Sequence, residues 1–289
     1  MAKIGDYTLH PIETGTFGLD GGAMFGVVPK PLWERRMVPD ERNRIKLSMR
    51  CLLIEGGGKL ILVDNGLGNK YDPKFAGLYN VDHSSDTLDA SLASAGFSRT
   101  DITDVILTHL HFDHAGGSTE EVDGKLHVAF ENARFHVQRD HWVAANAPNA
   151  RERASFFREN LEPLAASGQL NLLHGQQDIF KGISVDTFFG HTESMQTVSI
   201  SDPDSEDEKT LVFVADLLPT SHHLAPAWTM GYDIRPLKTM DEKDAFLKRA
   251  IEADWDLFFE HDPDVEIARV ILDERGRPVV AQARPLKEL

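Results

Sequence analysis

Candidate metal ligands crowd into one short segment of this chain, the sequence H-L-H-F-D-H at residues 109–114, and this segment limits the folds that the chain can adopt. It directly follows the apolar residues 105–107, which predict a buried strand. Alternate side chains of an extended strand point the same way, so His109, His111 and Asp113 are expected on one side and the last histidine on the other. The pattern therefore predicts a metal site built where a strand ends.

The residue types in this segment indicate a reactive metal site. Imidazole nitrogens suit Zn²⁺ and similar cations, and a carboxylate among them is typical of hydrolytic sites, whereas closed structural zinc sites favour cysteine. The chain has a single cysteine, Cys51, within the apolar run 51–54, where a buried strand position is expected. A cysteine-rich site and a disulfide within the chain are therefore excluded.

Charge and hydropathy limit the partners. The formal net charge of −16 at pH 7 would repel a phosphate backbone, and no basic stripe offsets it, so nucleic acid is not expected to bind. No apolar stretch approaches the about 20 residues that span a bilayer, and residues 1–6 lack the apolar core of a signal peptide. The expectation is a cytoplasmic protein that acts on a small-molecule substrate, away from membranes.

The order of predicted elements indicates a layered α/β protein. Residues 49–54 and 59–63 predict a hairpin around the glycine turn at 56–58, and residues 86–95 predict a helix that ends at Gly96. Further strands are expected at 126–130, 134–137, 183–188, 197–201, 211–214, 257–259, 268–272 and 279–283. Further helices are expected at 140–145, 151–166 and 241–254. Strands that recur in hairpins between helices predict sheets packed on each other and covered by helices.

Two segments predict irregular structure. Residues 19–29 are apolar but interrupted by glycine and proline, which favours a long loop or edge strands over a helix. Residues 202–208 are almost all acidic or turn-forming, which predicts the solvated tip of a hairpin rather than a second metal site.

The segment at 109–114, together with one earlier residue and three later ones, resembles the pattern of the metallo-β-lactamase superfamily. The pattern of that family is H-x-H-x-D-H at a strand end, followed by a histidine, an aspartate and a last histidine. Here the later three match His191 in G-H-T, Asp216 in V-A-D and His261 in E-H-D, and Asp64 matches an aspartate that ends an early strand. The resemblance implies a four-layer αββα sandwich of two mixed sheets flanked by helices, with residues 1–289 as a single domain.

The resemblance also implies the roles of these residues. It places two divalent metal ions, by preference zinc, in the site, one held by His109, His111 and His191, the other by Asp113, His114 and His261, with Asp216 bridging the two. Asp113 would also carry a proton to the leaving group, which makes it the candidate catalytic residue. Asp64 would orient a ligand histidine from behind, as metal-bound imidazoles usually require.

Within the superfamily, the segments at 20–29, 109–117 and 190–192 look most like the branch of N-acyl homoserine lactone lactonases and methyl parathion hydrolase. That likeness implies opening of a lactone by attack of a metal-bridging hydroxide. One departure counts against it: some lactonases carry a tyrosine shortly after the bridging aspartate, whereas Leu217-Leu218-Pro219 follows it here. A phosphotriester or aryl ester hydrolase, and a metal-binding protein without turnover, remain alternatives.

The substrate pocket has candidate walls in two places. Residues 24–33 are too apolar for an ordinary surface loop, so Met24 and Phe25 are expected to line the pocket, although packing or a contact in a homodimer is an equal alternative. Tyr232 in G-Y-D could supply the hydroxyl that is missing after Asp216, although a packing role is also open.

Overall fold

A computed structural model describes residues 2–205 and 209–289 of the chain. Its strands, in chain order, are β1 (Ala2–Ile4), β2 (Tyr7–Asp20), β3 (Arg44–Gly56), β4 (Lys59–Val63), β5 (Asp104–Ile106), β6 (Thr119–Val122), β7 (Lys125–Val128), β8 (Arg134–Gln138), β9 (Leu170–Leu173), β10 (Gln177–Phe180), β11 (Ile183–Phe188), β12 (Met195–Ser201), β13 (Thr210–Phe213), β14 (Asp256–Phe258), β15 (Ile267–Leu272) and β16 (Pro278–Arg284). Its α-helices are α1 (Gly21–Phe25), α2 (Lys30–Trp33), α3 (Pro73–Leu78), α4 (Leu88–Ala95), α5 (Phe112–Ala115), α6 (Arg139–Asn146), α7 (Arg158–Ser167) and α8 (Pro236–Glu252).

Two large mixed sheets form the centre of the molecule. The first has the strand order β1-β2-β3-β4-β5-β8-β9, and its pairs from β4 to β9 are parallel. The second has the order β10-β11-β12-β13-β14-β15-β16 and is antiparallel except for the parallel pair β13–β14. A small hairpin of β6 and β7 lies outside both. Parallel pairs bring the carboxyl ends of their strands to one edge, which gathers the segments that follow them.

The sheets pack face to face and carry helices on their outer sides. Leu52 of the first sheet and Phe213 of the second belong to one fully buried core between the sheets. Leu92 of α4 and Leu164 of α7 bury the opposite face of the first sheet, and Phe246 of α8 packs beside the second. The predicted four-layer αββα sandwich is thereby confirmed. No helix within residues 2–205 and 209–289 combines the length and apolarity needed to cross a membrane.

Local signals in the sequence account for several element ends. The hairpin of β3 and β4 turns at Gly57 and Gly58, both with positive φ, as predicted. Helix α4 begins where the Thr87 hydroxyl accepts the Ala90 N–H, and it ends at Gly96 with φ 92°. These turns and caps are short-range features, so the sequence alone located them.

Two predicted segments adopt a different structure. Residues 21–25 form the short helix α1 instead of a loop or strand, because Asp20 caps it by accepting the Ala23 N–H at 2.8 Å. The sequence predicts a helix over residues 151–166, but residues 151–157 are not helical. The Asn149 side chain accepts the N–H groups of Arg151 and Glu152, and this closes a turn before α7 begins.

The acidic run at 202–208 connects neighbouring antiparallel strands, β12 and β13, as a hairpin would. Its residues 206–208 lie outside the described part of the chain. The predicted hairpin tip is therefore tested only by the strands on either side of it.

Candidate metal centre

Four of the predicted ligands converge in one buried group formed by His109, His111, His191 and Asp216, whose candidate ligand atoms all lie within 4.8 Å of one another. His109 Nε2 is 3.0 Å and His191 Nε2 is 3.3 Å from the same atom, Nδ1 of His111. Asp216 Oδ2 is 3.1 Å from His191 Nε2. The segments after β5, β11 and β13 thus meet at one edge, although they are far apart in the sequence.

A second group, Asp113, His114 and His261, lies directly beside the first. His114 Nε2 and His261 Nε2 are 3.0 Å apart, and Asp113 Oδ2 is 3.7 Å from His261 Nε2. Asp216 stands between the two groups, with Oδ1 3.3 Å from His261 Nε2 and Oδ2 directed at His191. The seven ligand positions that the resemblance implied therefore come together as two groups that share one carboxylate.

The route by which Asp113 reaches the cluster differs from the prediction. It does not continue the strand alternation of His109 and His111, because the chain turns into helix α5 at Phe112. The N–H groups of His114 and Ala115 both donate to the carbonyl of His111, which starts this single helical turn. The helical turn, rather than an extended strand, places Asp113 and His114 side by side facing the second group.

The chemistry of the cluster fits divalent cations. Five ring nitrogens and the carboxylates of Asp113 and Asp216 converge in a region where every contributing residue is at least nine-tenths buried. A nitrogen pair 3.0 Å apart, such as that of His114 and His261, can share only one proton, and Asp216 Oδ1 is buried without a hydrogen bond. Buried polar atoms normally have partners. Cations held between these atoms would satisfy them together, and neutral imidazole with carboxylate suits zinc or a similar ion.

Burial and neighbouring charge set the proton affinities of the ligands in opposite directions. Burial, together with the surrounding imidazoles, holds the pKa of His109 and His111 well below the usual value. Burial also disfavours charge on His191 and His261, but the adjacent Asp216 carboxylate outweighs it and raises the pKa of each to about 9. In the metal-free protein, protons therefore compete with metal ions for these two rings.

Asp64 lies behind His114, where the sequence placed a supporting residue. Its Oδ1 accepts the Thr108 N–H at 2.7 Å and its Oδ2 accepts the Thr108 hydroxyl at 2.6 Å, and Oδ2 also lies 3.1 Å from His114 Nδ1. Glu260 Oε2 is 2.9 Å from the same ring nitrogen and is fully buried, a contact that the sequence analysis missed. The contact with Asp64 orients the ring so that Nε2 faces the cluster, whereas neither Glu260 oxygen has a hydrogen-bond partner among the described residues.

Two further supporting residues were not foreseen. Asp233 Oδ1 lies 2.9 Å from His191 Nδ1, and the aspartate is 1% exposed. His141 accepts the Leu110 N–H on Nε2 at 2.8 Å and donates from Nδ1 to the carbonyl of Glu193 at 2.6 Å. His141 belongs to neither ligand group, but it ties the segment at 109–111 to the segment after His191. The only local sequence signal for Asp233 and His141 was that an acidic residue and a histidine occur in a predicted turn and a predicted helix.

Strand β3 fixes the last histidine. The His261 Nδ1 donates to the carbonyl of Ser48 at 2.8 Å, and the Ser48 N–H donates back to the carbonyl of His261 at 3.1 Å. The buried guanidinium of Arg50 donates to the carbonyls of Phe259 and Asp262 on either side of it. This set of bonds sets the position of the loop after β14 and the tautomer of its ligand.

A cavity opens over the cluster and exposes part of it. Its lining combines ligands with apolar and aromatic side chains: Leu19, Met24, Tyr79, His111, Phe112, Asp113, Arg151, Ala154, Ser155, His191, Asp216, Met230, Tyr232 and His261. Of the three predicted substrate contacts, Met24 and Tyr232 line the cavity. Phe25 does not, because it is fully buried and stacks on Trp33 and His223, with ring centroids 5.5 and 4.6 Å away.

Comparison with solved structures places this fold and cluster in context. The chain is similar to a probable metal-dependent hydrolase from Staphylococcus aureus, with a TM-score of 0.86 and 30% identity, over 98% of this chain and 100% of the other. It is also similar to AidC, a dizinc quorum-quenching lactonase, with a TM-score of 0.78 and 22% identity, over 98% and 96%.

Comparison of sequences gives shorter matches. An N-acyl homoserine lactonase of Bacillus cereus is 26% identical over 167 residues, which cover 55% of this chain and 60% of that protein. The chain spans about half the length of the first curated relatives that it matches, 46% in one case. Residues 49–261 match the sequence profile of the metallo-β-lactamase superfamily, from β3 to the last candidate ligand. This chain belongs to the metallo-β-lactamase superfamily.

Proposed function

We propose that this protein is a binuclear metal-dependent hydrolase that opens lactones, with N-acyl homoserine lactones as the first candidates. The observation that carries the proposal is the pair of adjacent ligand groups at the floor of a cavity, with Asp216 of the first group also 3.3 Å from His261 of the second. Divalent ions held there, by preference zinc, would supply water activated near neutral pH and a Lewis acid for the ester carbonyl. The cavity leads a substrate to both groups at once.

Asp113 is the residue of the cluster best placed to move a proton. It lines the cavity, and its Oδ2 is 3.7 to 3.8 Å from the Nε2 atoms of His261 and His114. A carboxylate at that position can hold a proton on Oδ and deliver it to the ring oxygen that departs when a lactone opens. Asp113 would therefore have two roles, ligand and proton carrier.

The cavity suits an ester with an apolar substituent. Leu19, Met24 and Met230 form apolar walls beside the aromatic rings of Phe112 and Tyr232. Such walls accept an acyl chain by excluding water from it. The similarity to a Bacillus cereus N-acyl homoserine lactonase and to the dizinc lactonase AidC supports the choice of lactones and of two zinc ions.

A second candidate is hydrolysis of phosphotriesters or aryl esters, because three aromatic residues, Tyr79, Phe112 and Tyr232, line the same cavity and would stack on an aryl group. The residues after Asp216 do not support lactone hydrolysis over the alternatives. Leu217 and Leu218 are buried in the core and offer no hydroxyl in place of the tyrosine that some lactonases carry there. A metal-binding role without turnover is the third candidate and would leave the cavity without a catalytic use.

A hydrolysis panel tests these candidates. Metal-free protein and protein reloaded with Zn²⁺ would be assayed on N-acyl homoserine lactones, a phosphotriester, an aryl ester and a β-lactam, with and without chelator. The proposal expects the largest kcat/KM for a lactone, activity only in the reloaded protein, and a loss in the Asp113→Asn variant of roughly a hundred-fold or more. Phosphotriester or aryl ester turnover that exceeds every lactone by orders of magnitude would overturn it, as would full activity in Asp113→Asn.

A further inference from the structure

Arg151 lines the cavity with a permanent positive charge that the chemistry proposed so far does not use. It lies on the turn before α7 and is the only lysine or arginine among the described residues that line the cavity. Its Nη2 donates to the backbone carbonyl of Gly231 and, at 3.2 Å, to that of Asp233. The guanidinium therefore lies against the loop that carries Met230 and Tyr232, on a wall of the cavity rather than at its metal-binding floor.

Arg151 is exposed and forms no ion pair with residues 2–205 and 209–289. No carboxylate oxygen of these residues lies within 4.0 Å of its guanidinium, although acidic residues outnumber basic ones by 46 to 30. The adjacent Glu152 is turned away, since it accepts the Thr192 hydroxyl at 2.7 Å and the Asn149 amide. Within the same described part of the chain, Nε and Nη1 of Arg151 donate to no acceptor.

From this placement we propose that Arg151 determines substrate specificity by binding an oxygen acceptor, a carbonyl or a carboxylate, that the substrate carries away from its scissile ester. The proposal rests on the proposed esterolytic function of the cluster. A guanidinium presents N–H groups in a fixed plane that match such oxygens, and hydrogen bonds to a charged partner are among the stronger ones. A neutral amide beside a lactone ring and a carboxylate on an acyl chain both meet this requirement.

Two matched pairs of substrates distinguish these sources. N-hexanoyl homoserine lactone would be compared with an α-alkyl-γ-butyrolactone of equal chain length, which carries its substituent at the same ring position but lacks the amide. A p-nitrophenyl hemisuccinate would be compared with p-nitrophenyl butyrate, which lacks the carboxylate. Each is assayed with the zinc-loaded wild-type protein, with Arg151→Met, with Arg151→Lys, and with Arg153→Met, an exposed neighbour on the same turn that does not line the cavity.

The expected result is a selective loss. Arg151→Met should lower kcat/KM by roughly ten- to a hundred-fold for the acceptor-bearing member of at least one pair. Its matched partner should change by no more than about two-fold, within the range of a surface substitution. Arg151→Lys should lose less, because it keeps one charged donor, and Arg153→Met should change neither. Loss confined to the lactone pair assigns the amide, and loss confined to the ester pair assigns the carboxylate.

Equal losses for both members of a pair would overturn the proposal, because they would show that Arg151 only supports the loop at 230–233. Unchanged kcat/KM in Arg151→Met would overturn it as well. Failure of the proposed lactonase function is separate: wild-type protein would open no lactone, and the ester pair would still test Arg151. Should neither pair turn over, calorimetry with N-hexanoyl homoserine, which carries both acceptors, decides; equal affinity for wild type and Arg151→Met would sink the assignment.

Discussion

Asp233, which lies behind the candidate ligand His191, is expected to raise the affinity of the site for metal, and a substitution there can measure this contribution. Its Oδ1 lies 2.9 Å from His191 Nδ1, and its Oδ2 accepts the Met230 N–H at 3.1 Å. Asparagine has the same shape but only one oxygen, so Asp233→Asn must lose one of these two bonds and the negative charge. The ring of His191 is then held less firmly, and its Nε2 becomes a poorer ligand.

The expected size of this effect follows from the bond that is lost. A buried hydrogen bond to a charged group is worth about 1.5 to 3 kcal/mol, which corresponds to roughly a ten- to hundred-fold change in affinity. Losses of about that size are usual when a residue behind a metal-bound histidine is replaced. We therefore expect the Zn²⁺ affinity of Asp233→Asn to fall by roughly ten- to a hundred-fold, measured by chelator competition on metal-free protein.

Asp104 provides a matched control. It is buried, and its Oδ1 is 2.8 Å from His136 Nε2, but neither residue belongs to the metal cluster. Asp104→Asn should lower the free energy of unfolding and leave Zn²⁺ affinity unchanged. Wild-type affinity in Asp233→Asn, or an equal fall in both variants, would refute the role given to Asp233.

Three other predictions follow from burial and charge. Phe25→Ala should cost about 3 to 5 kcal/mol of unfolding free energy in a urea titration, because the ring is fully buried; wild-type stability would contradict its core position. Burial lowers the pKa of Lys243 to about 8, so the unfolded state binds more protons at this residue between pH 8 and 10, and the stability of the wild type relative to Lys243→Met should rise over that window; the same pH dependence in both proteins would refute this. The pKa of His191 and His261 is about 9 without metal, so both rings are protonated at pH 7 and Zn²⁺ binding must release protons; calorimetry in buffers of different ionisation enthalpy should detect the release, and identical heats would exclude it.

Local and family signals in the sequence identified most of the cluster. The segment at 109–114 is recognisable because its ligands are adjacent and follow an apolar strand. His191, Asp216 and His261 could be matched only through the order of the family pattern. The parallel pair β13–β14 brings Asp216 and His261 to one edge of the second sheet, and His191 reaches the same group from the end of the antiparallel strand β11. The layered fold was predictable because each strand and helix carries its own signal in the sequence, and the order of these elements indicates packed sheets covered by helices.

The residues that the sequence did not reveal act across long separations without a pattern of their own. Asp233 contacts a ring 42 positions away, and Glu260 contacts one far earlier in the chain. Their positions depend on how loops close after the sheets form, which no short-range propensity encodes. Phe25 was misplaced in the pocket wall because an apolar side chain beside glycine fits a wall and a core equally well until its neighbours are known.

A zinc titration of the metal-free protein tests the central claim most directly. Hydrolysis of N-hexanoyl homoserine lactone would be followed while Zn²⁺ is added in fractions of one equivalent, at a protein concentration well above the dissociation constants. The two ligand groups that share Asp216 predict activity that rises to a break at two equivalents of Zn²⁺ per chain and stays constant beyond it. A break at one equivalent would contradict the binuclear site, and no turnover at any Zn²⁺ concentration would contradict the proposed lactonase function.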